Sequence, residues 1–256
     1  MRKGKKSPDG MTFLEHLDDL RKRIIYSLVA LLVAVIPAYM FSKDIFKILA
    51  RPVTQSLPQG TRLAVTTLPA AFMVYIKVSF LAAIFFTSPF IFYQLWKFIA
   101  PGLYQKEKKY VIPFVFLTTF FFILGALFGY FVLFPFACRF FLTIGSDFQP
   151  VITADKYFSL ALHLLLGIAL VFELPTLVFF LSRMGLVTAG WMIKNIKYAV
   201  LAIFIIAAII TPTPDFINQA ILAAPMLGLY GLSILIALFA GKKRKKQKDS
   251  GADLVG

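Results

Sequence analysis

Long apolar runs, separated by short charged segments, constrain the fold of this chain more than any other feature. A helix needs about 20 apolar residues to cross roughly 30 Å of hydrocarbon. Six candidate runs occupy residues 24–41, 72–95, 111–137, 157–181, 197–210 and 218–240. The fifth run has only 14 residues, a helical length of about 21 Å, so it must thin the bilayer or pack against protein. The pattern predicts an all-α integral membrane protein with six transmembrane helices.

The composition supports this prediction. The 256 residues are 59% hydrophobic and 15% charged, whereas soluble domains are about 45–50% apolar and about 25% charged. A net charge of +15 would suit nucleic acid. In so apolar a chain it favours orientation in an anionic membrane instead, and no nucleic-acid partner is expected. The first run is too long for a cleavable signal peptide, so we expect it to be retained.

The sequence carries no signature of an enzyme. We find no nucleotide-binding loop, nucleophile elbow or cluster of metal ligands in it. Cys138 is the only cysteine, which excludes an intramolecular disulfide and a cysteine-based metal site. We therefore expect neither catalytic activity nor a metal or cofactor.

The distribution of lysine and arginine predicts how the helices cross the membrane. Segments on one side carry 20 of these residues and segments on the other side carry 6. The first group is the N-terminus, 96–110, 182–197 and the tail after Ala240, and the second is 42–71, 138–156 and 211–217. Because positively charged loops stay in the cytoplasm, both termini are expected there.

The whole chain, 1–256, is predicted to form one polytopic domain. Residues 1–23 are an amphipathic cytoplasmic start, and residues 241–256 are a basic cytoplasmic tail that is expected to meet anionic lipid. In the outer loop 42–71, apolar residues among polar ones at 43–51 predict a short amphipathic helix at the surface. Bent helices, in a curved bundle with an outer loop cap, are predicted by prolines at 37, 89, 113, 135, 175 and 225.

Three acids precede the first apolar run, in the stretch FLEHLDDLRKR. Glu15 completes a capping-box pattern, so a helix is expected to begin here. Glu15, Asp19 and Arg23 are spaced by four residues, as are Asp18 and Lys22, and ion pairs at this spacing stabilise a helix. Alternatively, Glu15 and Asp19 form a negative site for a cationic ligand, above all arginine, whose planar guanidinium matches a carboxylate. The residues alone leave both interpretations open.

Another exposed acid is predicted on the same side of the membrane, in the loop WKFIAPGLYQKEKKY. Pro101 and Gly102 mark a turn. Glu107 is the only acid, and it lies next to Lys106, Lys108 and Lys109. Taken alone, Glu107 is an ordinary solvated charge. Together with the acids of residues 15–19, it suggests a shared site at the membrane surface.

Glu173 is the most unusual ionisable residue within an apolar run. It lies about eight residues from the cytoplasmic end of the fourth run, near the midplane, where an ionisable group marks a functional site by default. Pro175 leaves the carbonyl of Val171 without its usual partner, which would admit water or a polar neighbour. His163 is about 80° away around the same helix, so the two could border one cavity. The alternative is a carboxyl group hydrogen-bonded inside the bundle.

The segment IITPTPDFINQ is the predicted outer turn between the fifth and sixth helices. Its threonines and prolines give a stiff connection, and Asp215 is suited to cap the sixth helix. Asn218 and Gln219 then enter the membrane, where polar side chains often bond neighbouring helices.

Together these segments resemble the TatC family, the polytopic core of the twin-arginine protein translocase. The resemblance covers about residues 11–241 and rests on HLDDLRKR, WKFIAPGLYQKEKK, FELP and TPTPD followed by NQ. It implies a receptor, in the bacterial cytoplasmic (inner) membrane, for signal peptides with consecutive arginines. It also implies TatA-type and TatB-type single-span partners in a hetero-oligomer, and transport of folded proteins driven by the proton motive force.

The resemblance also implies roles for individual residues, within a curved wall of six helices. The implied signal-peptide site consists of Asp19, Glu107, Glu15, Phe98 and Pro101. Asp19 stands where the family more usually has Glu, which leaves open whether Glu15 or Asp18 shares the contact. Glu173 is implied to face a concave, water-accessible pocket, and the partner contact is implied to include Gln219 and Thr211.

The residues also allow two other classes of protein to be compared with this interpretation. An ion-coupled small-molecule secondary transporter would be centred on Glu173, but the sequence lacks the inverted repeat and paired broken helices that such transporters often have. An intramembrane enzyme would need a Ser/His, paired-Asp or metal motif, and the sequence has none of these.

Overall fold

The computed structural model describes residues 13–55, 63–99, 111–145, 151–211 and 216–252. These residues form helices, with no strand among them beyond one isolated parallel bridge between Ala64 and Thr153. The helices are α1 (Phe13–Met40), α2 (Ser42–Thr54), α3 (Ala70–Ile99), α4 (Val111–Phe128), α5 (Phe134–Ile144), α6 (Ala154–Val171), α7 (Leu174–Met184), α8 (Ala189–Lys194), α9 (Ile196–Ile210) and α10 (Phe216–Ala252). A π-helical turn, Gly129–Leu133, joins α4 to α5.

Within the described residues, five stretches are long and apolar enough to cross a membrane. They are Leu14–Met40, Ala70–Ile99, Ile112–Ile144, Ala154–Met184 and Gln219–Phe239. Ile196–Ile210 is equally apolar but has only 15 residues, about 22 Å of helix. Its buried residues are Ile203 and Ala207, so a narrow stripe packs on the bundle and the rest of α9 faces outward.

The prolines act in two ways. Pro37, Pro89 and Pro225 lie inside continuous helices. Pro135 and Pro175 instead stand in the first turn of α5 and α7, where a missing backbone N–H costs little. The two longest predicted runs are therefore interrupted, one by the π-helical turn and the other at residues 172–173.

The core joins α2, α3, α5, α6, α9 and α10. Its most fully buried side chains include Val78, Phe134, Ile168, Leu222 and Met226. A second cluster is aromatic and connects α3, α4 and α7, with Phe92, Trp96, Phe114, Phe122 and Phe180.

Helices α4 and α6 approach closely at Gly125. A Cβ atom on this glycine would lie 2.8 Å from the Cβ of Phe172 and 2.9 Å from the Cα of Ala169. Only a residue without a side chain allows the two backbones to come this near, as is common between membrane helices. Gly125 thus fixes the position of Phe172, which immediately precedes Glu173.

One end of the bundle, which we call the cap end, consists of α2 with residues 63–69 and 151–153. The predicted amphipathic helix is present as α2, and its apolar face packs on the bundle, with Phe46 against Tyr75 and Phe158. The Tyr157 hydroxyl donates to the carbonyl of Leu49 over 2.8 Å. Backbone N–H groups of Ala64 and Ala154 bond carbonyls across the two connecting segments. Residues joining four helices are therefore held together at this end.

Candidate functional site

The acidic start of α1 is tied to α3 at the end of the bundle opposite the cap. Arg23 Nε donates to Asp19 Oδ2 over 2.7 Å, and Arg23 Nη1 donates to Gln94 Oε1 over 3.3 Å. The side chains of Asp19 and Arg23 are 23% and 13% exposed. Asp19 is therefore ion-paired, as its spacing allowed, yet part of its side chain remains exposed to solvent.

A ring contact joins the same two helices. The imidazole of His16 stacks on Phe98, with ring centroids 4.3 Å apart and planes inclined by 16°. Phe98 is half-buried and lies in the last turn of α3. The stack therefore places the first turns of α1 beside the point where α3 leads into residues 100–110.

Some of the other residues predicted for this site lie within the described residues and some lie outside them. Glu15 and Asp18 are exposed on α1. Asp18 and Lys22 form no ion pair with any residue that the structure describes, so that predicted pair is absent there. Pro101 and Glu107 lie outside the described residues, and so does Thr12 of the capping box. The predicted meeting of Asp19 with Glu107 therefore stays a prediction.

Glu173 occupies the break between α6 and α7. Its side chain is buried, with 7% of the residue exposed. Neither Glu173 Oε1 nor the hydroxyl of Thr176, three residues on, has a hydrogen-bond partner within the described residues. Buried polar atoms without partners are costly and rare. This pair therefore forms a polar spot inside an otherwise apolar bundle.

A polar stripe runs along α6 from the cap end. Lys77 Nζ on α3 lies 2.5 Å from Asp155 Oδ1 and 2.8 Å from Ser159 Oγ. His163 Nδ1 lies 2.7 Å from the carbonyl oxygen of Ser159. Asp155, Ser159 and His163 share one helical face because they are spaced by four residues.

His163 lines a cavity of about 450 Å³ between α6 and the end of α9. The wall of this cavity includes Thr211 but not Glu173. That His163 and Glu173 border one cavity stays a prediction.

Helices α9 and α10 are joined by Gln219. Its Nε2 donates to the carbonyl of Phe204 over 2.6 Å, so the amide spans the two helices as its membrane position suggested. The Thr211 hydroxyl donates to the carbonyl of Ala207, one turn earlier in α9. Asp215, the predicted cap of the sixth span, lies outside the described residues.

These polar groups do not form a metal centre. Among the described residues, no group of three or more His, Cys, Asp or Glu side chains could hold a metal ion. What the site offers is a carboxylate edge beside an aromatic stack at one end, and isolated polar groups within the bundle.

A family model described as "Sec-independent protein translocase protein (TatC)" matches residues 15–225, which is most of the chain. The chain belongs to the TatC family. Similar proteins include TatC of Koribacter versatilis, 43% identical over 94% of this chain and 90% of that protein. TatC of Helicobacter pylori strain J99 is 46% identical over 87% of each chain.

Solved TatC structures have the same fold. The crystal structure of a twin-arginine translocase receptor TatC superposes with a TM-score of 0.77 at 35% identity, over 88% of this chain and 99% of that one. A structure of TatC in the detergent DDM gives a TM-score of 0.78, also at 35% identity, over 87% and 99% of the two chains. This chain is thus a multi-pass membrane protein and a component of a protein translocase. The comparisons do not support the transporter centred on Glu173.

Sequence reasoning missed three members of these contacts. His16 and Gln94 are not among the predicted site residues, although His16, Asp19 and Arg23 share one helical face and Gln94 and Phe98 share another. Lys77 is not among them either, although a lysine inside an apolar run requires an acidic or polar partner. In each case the signal was a polar residue placed on the face that meets a neighbouring helix.

Proposed function

We propose that this chain is the receptor subunit that binds twin-arginine signal peptides of folded cargo proteins in the bacterial cytoplasmic membrane. In this proposal it acts without catalysis of its own. It works in a hetero-oligomer with TatA-type and TatB-type single-span subunits, and the proton motive force drives transport. The resemblance of the motifs and membership of the TatC family support this assignment.

The proposed topology has six spans with both termini in the cytoplasm, in one polytopic domain. The short α9 is the critical case. Near one end of α10, Gln219 bonds Phe204 of α9, and further along α10 the Tyr230 hydroxyl bonds the carbonyl of Met192 in α8. Helix α9 leads from the level of Met192 to the level of Gln219, so it runs antiparallel to α10. This direction supports a membrane crossing by α9 although the helix is short. The excess of lysine and arginine at the α1 start and in the tail then favours a cytoplasmic location for both.

The proposed signal-peptide site is the surface formed by Asp19, Glu15, Phe98, Pro101 and Glu107. The observation that carries this proposal is the pair of contacts, His16 with Phe98 and Arg23 with Gln94, that fix the acidic face of α1 against the end of α3. The chain continues from there into the segment with Glu107. An incoming guanidinium group would meet the solvent-exposed part of the Asp19 side chain. A charge-assisted contact of this kind contributes about 1.5–3 kcal/mol, less the cost of loosening the Arg23 pair.

The proposed partner contact lies on α9 and α10, at Gln219 and Thr211, next to the turn that holds Asp215. Large apolar side chains of α9, among them Leu201, Ile205 and Ile209, are exposed. They would face lipid or a partner helix. Glu173 is proposed to face a concave, water-accessible pocket.

Crosslinking from position 106, next to Glu107, tests the receptor proposal. A photoreactive residue in place of Lys106 should capture a signal peptide with paired arginines, and should capture a paired-lysine version less, since lysine keeps the charge but loses the bidentate fit. Equal capture of the two peptides would refute the recognition model. Reconstitution of the chain alone, followed by measurement of solute flux, separates a receptor from a transporter, because a receptor alone passes nothing.

A further inference from the structure

A cleft at the cap end carries two arginines that the function above does not use. We propose that it binds the phosphate headgroup of an anionic phospholipid through Arg51 and Arg139. The cleft has a volume of about 780 Å³. Arg51 and Gln55 border it from α2, Arg139 and Thr143 from α5, and Phe131 from the π-helical turn.

The two guanidinium groups have no ion-pair partner among the residues that the structure describes. Both arginines are exposed. Asp44, the acid of α2, is instead paired with Lys47 over 2.9 Å. Two positive charges therefore face one cleft with no described carboxylate between them.

The walls of the cleft are held by contacts that do not involve the arginine side chains. The Tyr130 hydroxyl donates to the carbonyl of Ile48 over 2.7 Å, which fastens the π-helical turn to α2. The Thr143 hydroxyl donates to the carbonyl of Arg139 over 2.9 Å. A site whose walls are already in place loses little entropy when it binds. π-Helical turns are also frequent at functional sites.

The position of the cleft favours a membrane lipid as its occupant. It lies where the apolar stretches ending at Met40 and Ile144 reach the cap end, and aromatic side chains such as Tyr130 and Phe131 are typical of this interfacial level. Arginine binds phosphate through two parallel hydrogen bonds. Both arginines also lie in segments on the side of the membrane that is poor in lysine and arginine. The tendency of positively charged loops to stay in the cytoplasm therefore does not explain why these arginines are present.

Native mass spectrometry of the purified full-length chain in detergent tests the proposal. The chain is titrated with phosphatidylglycerol or with phosphatidylcholine, and retained lipid is counted. We expect preferential retention of phosphatidylglycerol, and at least a fivefold loss of that retention in R51Q/R139Q. Unchanged retention in this variant, or equal retention of the two lipids, would overturn the proposal.

Two further arms separate the site from a general effect of charge. Lys43→Gln removes one positive charge from the same helix at an exposed position outside the cleft, and it should leave retention unchanged. Arg139→Gln alone also removes one positive charge, but from the cleft, and it should lower retention. An equal loss in K43Q and R139Q would overturn the cleft as the site. Inorganic phosphate at millimolar concentration should not displace the lipid, and full displacement would overturn the lipid in favour of free phosphate. R51K/R139K keeps the charge and should retain an intermediate amount even if the glutamine variant folds poorly.

Discussion

His16 stacks on Phe98 with ring centroids 4.3 Å apart, and this contact joins the acidic start of α1 to the end of α3. The bond of Arg23 to Gln94 is a polar contact between the same two helices. The position of Asp19 beside the end of α3 therefore depends in part on these two contacts between α1 and α3.

Substitution of His16 tests this dependence. His16→Ala removes a ring stack, a contact that contributes about 0.5–1.5 kcal/mol, so capture of a twin-arginine peptide from position 106 should fall about two- to tenfold. His16→Phe keeps a planar ring and should restore capture. Leu14, 73% exposed on the same helix, supplies the control, since Leu14→Ala should change nothing. A loss in L14A equal to that in H16A would mean that the helix start, and not the stack, is responsible.

Substitutions of Asp19 and of its ion-pair partner Arg23 should affect peptide capture to different extents. Asp19→Asn removes the charge that an incoming arginine needs, so peptide capture should fall about tenfold. Arg23→Gln leaves that charge in place and frees Oδ2, so capture should fall less than in D19N, because the arginine of the peptide can take the vacated position. Crosslinking yields at equal protein amounts measure both effects. If R23Q loses as much capture as D19N, then Asp19 acts through its ion pair and not as a binding group.

The contacts of Asp19 and Arg23 show which interactions the sequence predicts and which it does not. Its spacing from Arg23 predicted an ion pair, because that contact depends only on helical geometry within one segment. The bond from Arg23 to Gln94 was not predicted, since it depends on the rotation of α1 against α3, which apolar periodicity leaves undetermined when a helix is apolar on most sides. The same limit hid the stack of His16 on Phe98.

Glu173 and Gly125 show the same difference between local features, which the sequence predicts, and contacts between distant residues, which it does not. The interruption near Pro175 followed from the missing backbone donor, a local property. The close approach of α4 to α6 at Gly125 was not predicted, because a glycine in an apolar run is equally compatible with lipid or with a neighbouring backbone. Sequence therefore specifies the elements and the local breaks, whereas pairs of residues far apart in the chain need the structure.

The contact at Gly125 gives a stability prediction with a matched control. Gly125→Ala would place a Cβ atom 2.9 Å from the Cα of Ala169, and such overpacking costs about 1–3 kcal/mol. The Cβ atom of Gly228→Ala, in contrast, would meet nothing within 4 Å, so this variant should be neutral or slightly stabilised by its better helix propensity. Thermal unfolding in one detergent compares them. Equal unfolding temperatures for the two variants would show that α4 and α6 are not in tight contact.

The ion pair between Lys77 and Asp155 should stabilise the bundle. Both side chains are about one-third exposed, at 32% and 33%, so the pair is intermediate between surface and buried pairs. We expect Lys77→Met to cost about 1–2 kcal/mol. Asp155→Asn should cost a similar amount, and K77M/D155N less than the two single variants added together, because neither charge is then left alone. Additive losses in unfolding temperature would show that the two groups do not interact.

Gln219 should serve both stability and partner binding. Its Nε2 donates to Phe204, and interhelical hydrogen bonds of this kind contribute about 0.6–1.7 kcal/mol, so Gln219→Leu should lower the unfolding temperature by a few degrees. If the amide oxygen also meets a partner, Q219L should in addition reduce crosslinking to a TatA-type or TatB-type subunit. Thr211→Val loses only a hydroxyl that is bonded to its own helix, and it should leave the unfolding temperature nearly unchanged. Loss of stability in Q219L with normal partner crosslinking would confine Gln219 to joining α9 and α10, and would remove it from the proposed partner surface.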